Sequence, residues 1–491
     1  MKQIAWIYRL KVSILFAILF CIMPLIAGGD IVKVKLKEIG VQPQAINNET
    51  QEALGGFEEE DTADSDIGGF EENTGDMGTN TDEKDPSDYG LSGEIKQQVA
   101  YLISSKNSNR KDFSSLRKTF FLDYEYKFSN DLKLKINERY FYDWVYDISH
   151  IYFTPEEKYF LYSEAELFDA YLEGSVSNSL DFKIGRQVVV WGRSDTIRIT
   201  DVLNPIDNRQ PGMVDIKDLR LPTVMVKLDY YVGNWRITPI VLLEQRFTKD
   251  PPYGSTFYPA NFPFPNAKEY NKPTYALSVG REFHGWDMNL YATHIYNDTK
   301  FIQDPFSQDA VVIHDKINMF GAAFNILKGS WLIKSEIAYF DALRYMMAPD
   351  TNLNRLDTLI GIEYNGIANT MISFDASLRH FMRYDMRLER QYIIAENKRI
   401  DLIPTYQNTY QYAFRMNSDF INDTLHANYL ITLFGKKGNE GGFQRLWATY
   451  DIDDHFKMDV GILDFIGGDI LFDHFKQERI VFGNIIYNFN I

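Results

Sequence analysis

From Gly93 to the C terminus, hydrophobic and polar residues alternate with a period of two. Phe120, Leu122, Tyr124, Tyr126 and Phe128 interleave with Asp123, Glu125 and Lys127, and after Asn130-Asp131 the residues Leu132, Leu134 and Ile136 interleave with Lys133, Lys135 and Asn137. Two such runs joined by a polar dipeptide predict a β-hairpin. The same signature returns at 224–230, 372–379, 424–433 and 456–462. Each predicted strand therefore has one dry face and one wet face.

A soluble sandwich also alternates, so the connections decide between architectures. Tight turns are predicted near Asn130, Gly174, Gly233, Gly285, Lys328, Gly366, Asn422 and Asp454. They separate longer excursions at 144–158, 192–221, 248–272, 299–315 and 382–404. Short turns on one side and long loops on the other are the rhythm of an up-and-down transmembrane barrel, with turns in the periplasm and loops outside. The hairpins, the segment 94–103 before them and the final segment 477–491 predict an all-β, antiparallel barrel of about 18 strands. In that last segment Val481, Ile485, Tyr487, Phe489 and Ile491 share one phase. It resembles the C-terminal targeting strand of outer-membrane proteins, which implies recognition of Tyr487, Phe489 and Ile491 by the barrel-assembly machinery. Ile491 stands where Phe is usual.

Export is written at the other end. Lys2, Arg9 and Lys11 precede an apolar core, and Ala27-Gly28-Gly29 offers a cleavage site, so 1–29 reads as a signal peptide. Beyond it no apolar run is long enough for a membrane helix. The only cysteine, Cys21, lies inside the signal, which excludes a disulfide framework from the exported chain. Of the formal charge of −17, the stretch 49–88 alone carries −14, so no basic surface for nucleic acid is expected. Residues 30–92 read as a disordered acidic periplasmic tail preceding the barrel at 93–491. The tail repeats Gly-Gly-Phe-Glu-Glu at 55–59 and 68–72, and Phe57 and Phe70 are candidate contacts for a periplasmic partner.

Catalytic patterns are sparse. There is no phosphate loop, nucleophile elbow or zinc helix, and the eight histidines lack ligand spacing. No enzyme activity, cofactor or metal is expected; His426, on a wet face, is the residue an outer-membrane lipase would use. Glu164 and Glu166 are expected to be polar residues lining a wet lumen.

The stretch FKIGRQVVVWGRSDTIRITDVLNPID, 182–207, concentrates the remaining chemistry. Strict alternation puts Arg186 on the lipid face, where mid-depth exposure costs about 2–4 kcal/mol. A bulge at Gly185-Arg186 that re-aims the side chain inward is therefore expected. Trp191 is expected at the outer headgroup interface. The 192–221 excursion mixes both signs of charge and is expected to fold into the barrel and narrow it. Arg186, Trp191, Arg193, Asp195, Arg198, Asp201, Asn204, Pro205, Asp207 and Arg209 are the candidate pore residues.

Gly185-Arg186-Gln187, Trp191-Gly192, Asp195, Asp201 and Asn204-Pro205 resemble the signature of a large family of uncharacterised Gram-negative outer-membrane barrels, distantly similar to alginate-export porins. The resemblance implies a cell outer-membrane location, contact with outer-membrane lipid and movement of hydrophobic or amphipathic molecules. Arg193 departs from it, standing where an acidic residue often follows Trp-Gly. The reading is a porin-like channel; the alternatives are a barrel sheath within an envelope transport complex and an outer-membrane lipase.

Overall fold

The computed structural model describes residues 89–490 apart from positions 105–111, 130–131, 149–161, 214–218, 253–254, 256, 259–264, 266, 304–309, 396–397, 402–403, 469–471, 473–474 and 476–477. The expected signal peptide, most of the expected acidic tail with Phe57 and Phe70, and Ile491 lie outside these residues. Within them a nineteen-stranded antiparallel sheet closes on itself. Eighteen strands form the barrel, and the four-residue strand Asp112–Ser115 pairs only with Tyr89–Ser104. Closure comes from Tyr89–Ser104, which pairs on one side with Arg117–Ser129 and on the other with the last strand, Arg479–Asn490. A closed cylinder leaves no row of unpaired backbone N–H and C=O groups, the condition a strand must meet in hydrocarbon.

Side-chain direction follows the predicted alternation. Ile360, Phe374, Leu446 and Val460 are exposed on the outer surface, whereas their chain neighbours Leu359, Asp375, Arg445 and Asp459 are buried inside. The outer surface is thus a continuous apolar belt of the kind a bilayer solvates. The interior departs from the expected wet lumen. Met225, Tyr291, Ile317, Phe340 and Leu359 form part of one buried cluster, and Leu430, Phe443, Trp447, Leu463 and Phe482 form part of another. Both contain residues of the 188–222 connection, so the inner wall is apolar where a folded segment packs on it.

The wall varies in height. Leu180–Gln187 and Trp235–Leu242 have eight residues each, against fifteen in Trp331–Tyr345 and twenty in Ala348–Ile367. Eight extended residues reach about 26 Å before tilt, barely the thickness of an apolar band. These two tall strands are joined through Met346-Met347 alone, a tight connection on the loop side.

Three local expectations are corrected. The strand expected to turn near Gly174 runs on to Ser177, across a slip in register between Ser175 and Ser177, and turns at Asn178-Ser179. The first strand begins at Tyr89, ahead of Gly93. No bulge occurs at Gly185-Arg186: Ala170 to Leu172 pair without slip with Arg186 to Ile184, and the next strand pairs likewise. The irregularity lies one strand away, where Asn137 stands between the pairs Ile136–Ala170 and Glu138–Leu167, so Phe168 and Asp169 share its place.

Candidate functional site: an infolded segment

The chain leaves the barrel wall after Gln187 and rejoins it at Thr223. Between them it descends into the lumen, returns, and meets the rim beside the strands Leu132–Asp143 and Ser163–Ser177. Asn204 clasps the neck: its Oδ1 accepts from Val189 N at 2.8 Å, and its Nδ2 donates to the carbonyls of Gln187 and Leu221 at 3.2 and 3.0 Å. Pro205 continues the clasp, its carbonyl accepting from Leu221 N at 2.7 Å. An Asn-Pro step suits this place, because the Asn amide replaces a ladder that proline cannot join.

The descending limb carries Trp191 inside. Its ring is 5% exposed and stacks on Tyr291, centroids 4.5 Å apart, so the expected position at the outer headgroup interface is wrong. The strand stops at Gln187, and the residues beyond it follow the loop rather than the wall. Gly192 follows in the left-handed region, φ +94°, and a Cβ there would lie 2.9 Å from a Glu336 oxygen. Only glycine tolerates both conditions.

Glu336, buried on the inner face of Trp331–Tyr345, captures this limb. Its Oε1 accepts from the backbone N–H of Arg193 and Ser194 at 2.7 and 2.9 Å; its Oε2 accepts from Thr200 N and Thr200 Oγ1 at 3.1 and 2.7 Å. Asp375 takes the hydroxyls of Ser194 and Thr196 at 2.8 and 2.6 Å. Arg193 pairs with Asp287, and Asp195 with Lys334, which also meets Glu363 at 3.0 Å. Asp287 is the second residue of Trp286–Tyr296, directly after a short turn, so Arg193 lies near the turn end of the barrel.

On the way back Arg198 donates to Asp201 Oδ2 at 3.1 Å and to the carbonyls of Asp201 and Asn204 at 2.7 and 2.6 Å; Arg220 meets the same Asp201 oxygen at 3.0 Å. Burial pushes the Asp201 carboxyl up, and Arg220 and Arg198 outweigh it to hold the group below the ordinary carboxylate range. At the rim Asp207 accepts from Arg209 Nε at 2.7 Å and from Arg139 at 3.3 Å. Arg209 reaches Glu164 at 2.7 Å, Lys249 bridges Glu164 and Glu166 at 2.7 and 3.0 Å, and Arg246 also pairs with Glu166. Burial raises the Asp207 carboxyl and its two arginines depress it further, to well below the usual range. Glu164 and Glu166, expected as simple lumen lining, are members of this lattice.

Nine of the ten sequence candidates therefore lie on the infolded segment. Arg186 does not join them. It keeps the outward phase of exposed Ile184 and satisfies its guanidinium with the Leu167 carbonyl at 2.9 Å and with Glu244. Sequence reading missed the wall partners Glu336, Asp375, Asp287 and Lys334.

A barrel closed between first and last strands, with one long connection folded inside, defines the fold against which relatives are compared. The family profile matching residues 50–489 is described as "Protein of unknown function (DUF1302)". The chain belongs to this DUF1302 family. No curated protein matches it. Among solved structures, the crystal structure of Acinetobacter baumannii OccAB4 is similar at 10% identity and TM-score 0.49, over 83% of this chain and 99% of that one. The outer membrane protein opdK from Pseudomonas aeruginosa is similar at 8% identity and TM-score 0.48, over 82% and 99%.

Proposed function

We propose that this DUF1302 chain is an outer-membrane channel whose bore is narrowed by the segment 192–221, and that it passes an amphipathic solute. The observation that carries the reading is the capture of that segment by Glu336: four donors of the loop converge on one buried carboxylate of the far wall. An ordinary external loop has no reason to satisfy a lumen carboxylate. In this reading Arg193, Asp195, Arg198, Asp201, Asp207 and Arg209 form the charged constriction, Trp191 packs it, and Asn204 and Pro205 hold its neck. The distant likeness to alginate-export porins belongs to the same proposal and rests on the 185–205 signature alone.

The lipase alternative requires a serine beside His426. Its Nδ1 lies 2.6 Å from Asp419 and its Nε2 3.7 Å from Asp451, so both ring nitrogens face carboxylates. Single-channel recording in planar bilayers tests the channel reading. The intact chain is expected to give small discrete steps, and deletion of 192–221 steps several-fold larger. Unchanged conductance after deletion overturns the constriction, and gross leakage of the intact chain favours a sheath that a partner normally fills.

A further inference from the structure

Arg186 and Glu244 stand at a place where the barrel wall is weak in three respects. The first is height: Leu180–Gln187 and Trp235–Leu242 are the shortest strands of the barrel, and above them Val190 and Leu243 are 55% and 49% exposed. The second is the ladder. Thr223–Val232 pairs with Trp235–Leu242 down to Lys227 opposite Ile240 and resumes only at Tyr230 opposite Ile237. Pro239 sits in the gap with no N–H to give, where a spanning strand normally leaves no backbone group unsatisfied.

The third is the upper end of the same seam, which a side chain closes in place of backbone. Val224 O accepts from both Leu243 N and Glu244 N, at 2.8 and 3.2 Å, and Val224 N donates to Glu244 Oε2 at 3.1 Å. The other oxygen of Glu244 takes the outward Arg186. Glu244 also lines the cavity enclosed by the returning limb of the infolded segment, together with Leu203, Leu242, Ile295, Ile317 and Phe340. One carboxylate thus touches the interior cavity, the edge of the sheet and a cation on the membrane side.

We propose that the wall over these strands is a side portal between the cavity and the outer leaflet, latched by the Arg186–Glu244 pair, for an amphiphile with a narrow apolar body and an anionic head. The apolar body meets the Leu, Ile and Phe side of a lining that also carries arginines and aspartates, among them Arg246, Arg355 and Asp357. The head exchanges with the Glu244 carboxylate on Arg186, so a cation in the outward phase has a partner whether the latch is closed or open. The proposal rests on the channel reading for its solute class and adds a route that the bore does not supply.

The test uses the full chain in liposomes, with Cys21→Ser and a fluorophore on Val202→Cys, a partly exposed position that lines the cavity. The probe is bromododecanoate, either pre-dissolved in the bilayer or added to the water. Glu244→Gln retains an acceptor for Val224 N–H while losing the charge; Arg186→Gln removes the other half of the latch. Glu244→Gln is expected to speed quenching from the membrane side several-fold, and Arg186→Gln, which removes the partner of the head together with the latch, to speed it less; both leave the water-side rate unaltered. Membrane-side rates equal to those of the parent chain in both variants overturn the portal. Conductance recorded on the same preparations separates the two ideas: ion steps without membrane-side quenching remove the portal alone, and membrane-side quenching without ion steps removes the channel alone.

Discussion

The infolded segment is fastened at two ends by different chemistry. Near the turns, beside the ion pairs Arg193–Asp287 and Asp195–Lys334, wall carboxylates receive neutral donors: Glu336 and Asp375 bind backbone N–H and hydroxyl groups of residues 193–200. At the rim, three carboxylates interlock with four cations, so Asp207, Glu164 and Glu166 share Arg139, Arg209, Arg246 and Lys249. A lattice with several partners per group tolerates the loss of one; a single carboxylate holding four donors does not. The deep end is the brittle fastening and the rim the redundant one.

Glu336→Ala is the largest expected break. It orphans buried donors of Arg193, Ser194 and Thr200, a loss of about 3 kcal/mol or more by the usual cost of hydrogen bonds to charged groups. Limited proteolysis of the folded chain should then cut within 193–200, which is protected in the parent; Glu336→Gln should retain only part of the protection, because its single amide oxygen can accept from two of the four donors. Asp207→Asn is expected to cost less, about 1–2 kcal/mol, because Arg209 keeps Glu164 and Arg139 keeps Glu166. Equal proteolytic sensitivity in Glu336→Ala and Asp207→Asn would erase the distinction between the two ends.

Acid sharpens the comparison further. The Asp207 and Asp201 carboxyls are depressed in the folded chain, so the stabilisation they contribute is complete above the unfolded carboxylate pKa and is lost only as pH falls through the lower folded value. Protection of the segment 201–213 is therefore expected to be unchanged between pH 8 and about 5, an interval above the reference carboxylate pKa. Hydrogen exchange across that range checks it, and an early loss of protection there would contradict the depressed carboxyls. Trp191→Phe is the smallest change, keeping a ring on Tyr291 and costing about 0.5–1.5 kcal/mol. Its measurement is the denaturant midpoint in detergent.

The barrel was legible because period-two alternation and turn residues are local properties, repeated in every strand from Phe120 to Phe489. The infolding was legible only as an excess of paired charges in 192–221. Its anchors were not: Glu336 sits among Ile333, Ser335 and Ile337 like any wet-face residue, and nothing nearby in the chain marks it as the acceptor for residues some 140 positions earlier. Arg186 misled for a related reason. Local logic offered a bulge to remove it from lipid, whereas the fold supplies Glu244, 58 residues on, at the top of a short wall. Trp191 misled because an aromatic after a strand reads as an interface anchor until the end of the strand is known.

The most direct test of the infolded segment is a cross-link between Ser194 and Asp375, whose side chains meet at 2.8 Å across the lumen. With Cys21→Ser, the Ser194→Cys/Asp375→Cys chain is treated in intact outer membranes with a short bifunctional thiol reagent. The account predicts an internal cross-link, seen as a mobility shift lost after cleavage of the reagent, formed faster than in a Ser194→Cys/Ser373→Cys control. Labelling of the introduced thiol at position 194 by a bulky external reagent, with no cross-link to the thiol at position 375, would place the segment outside the barrel and contradict it.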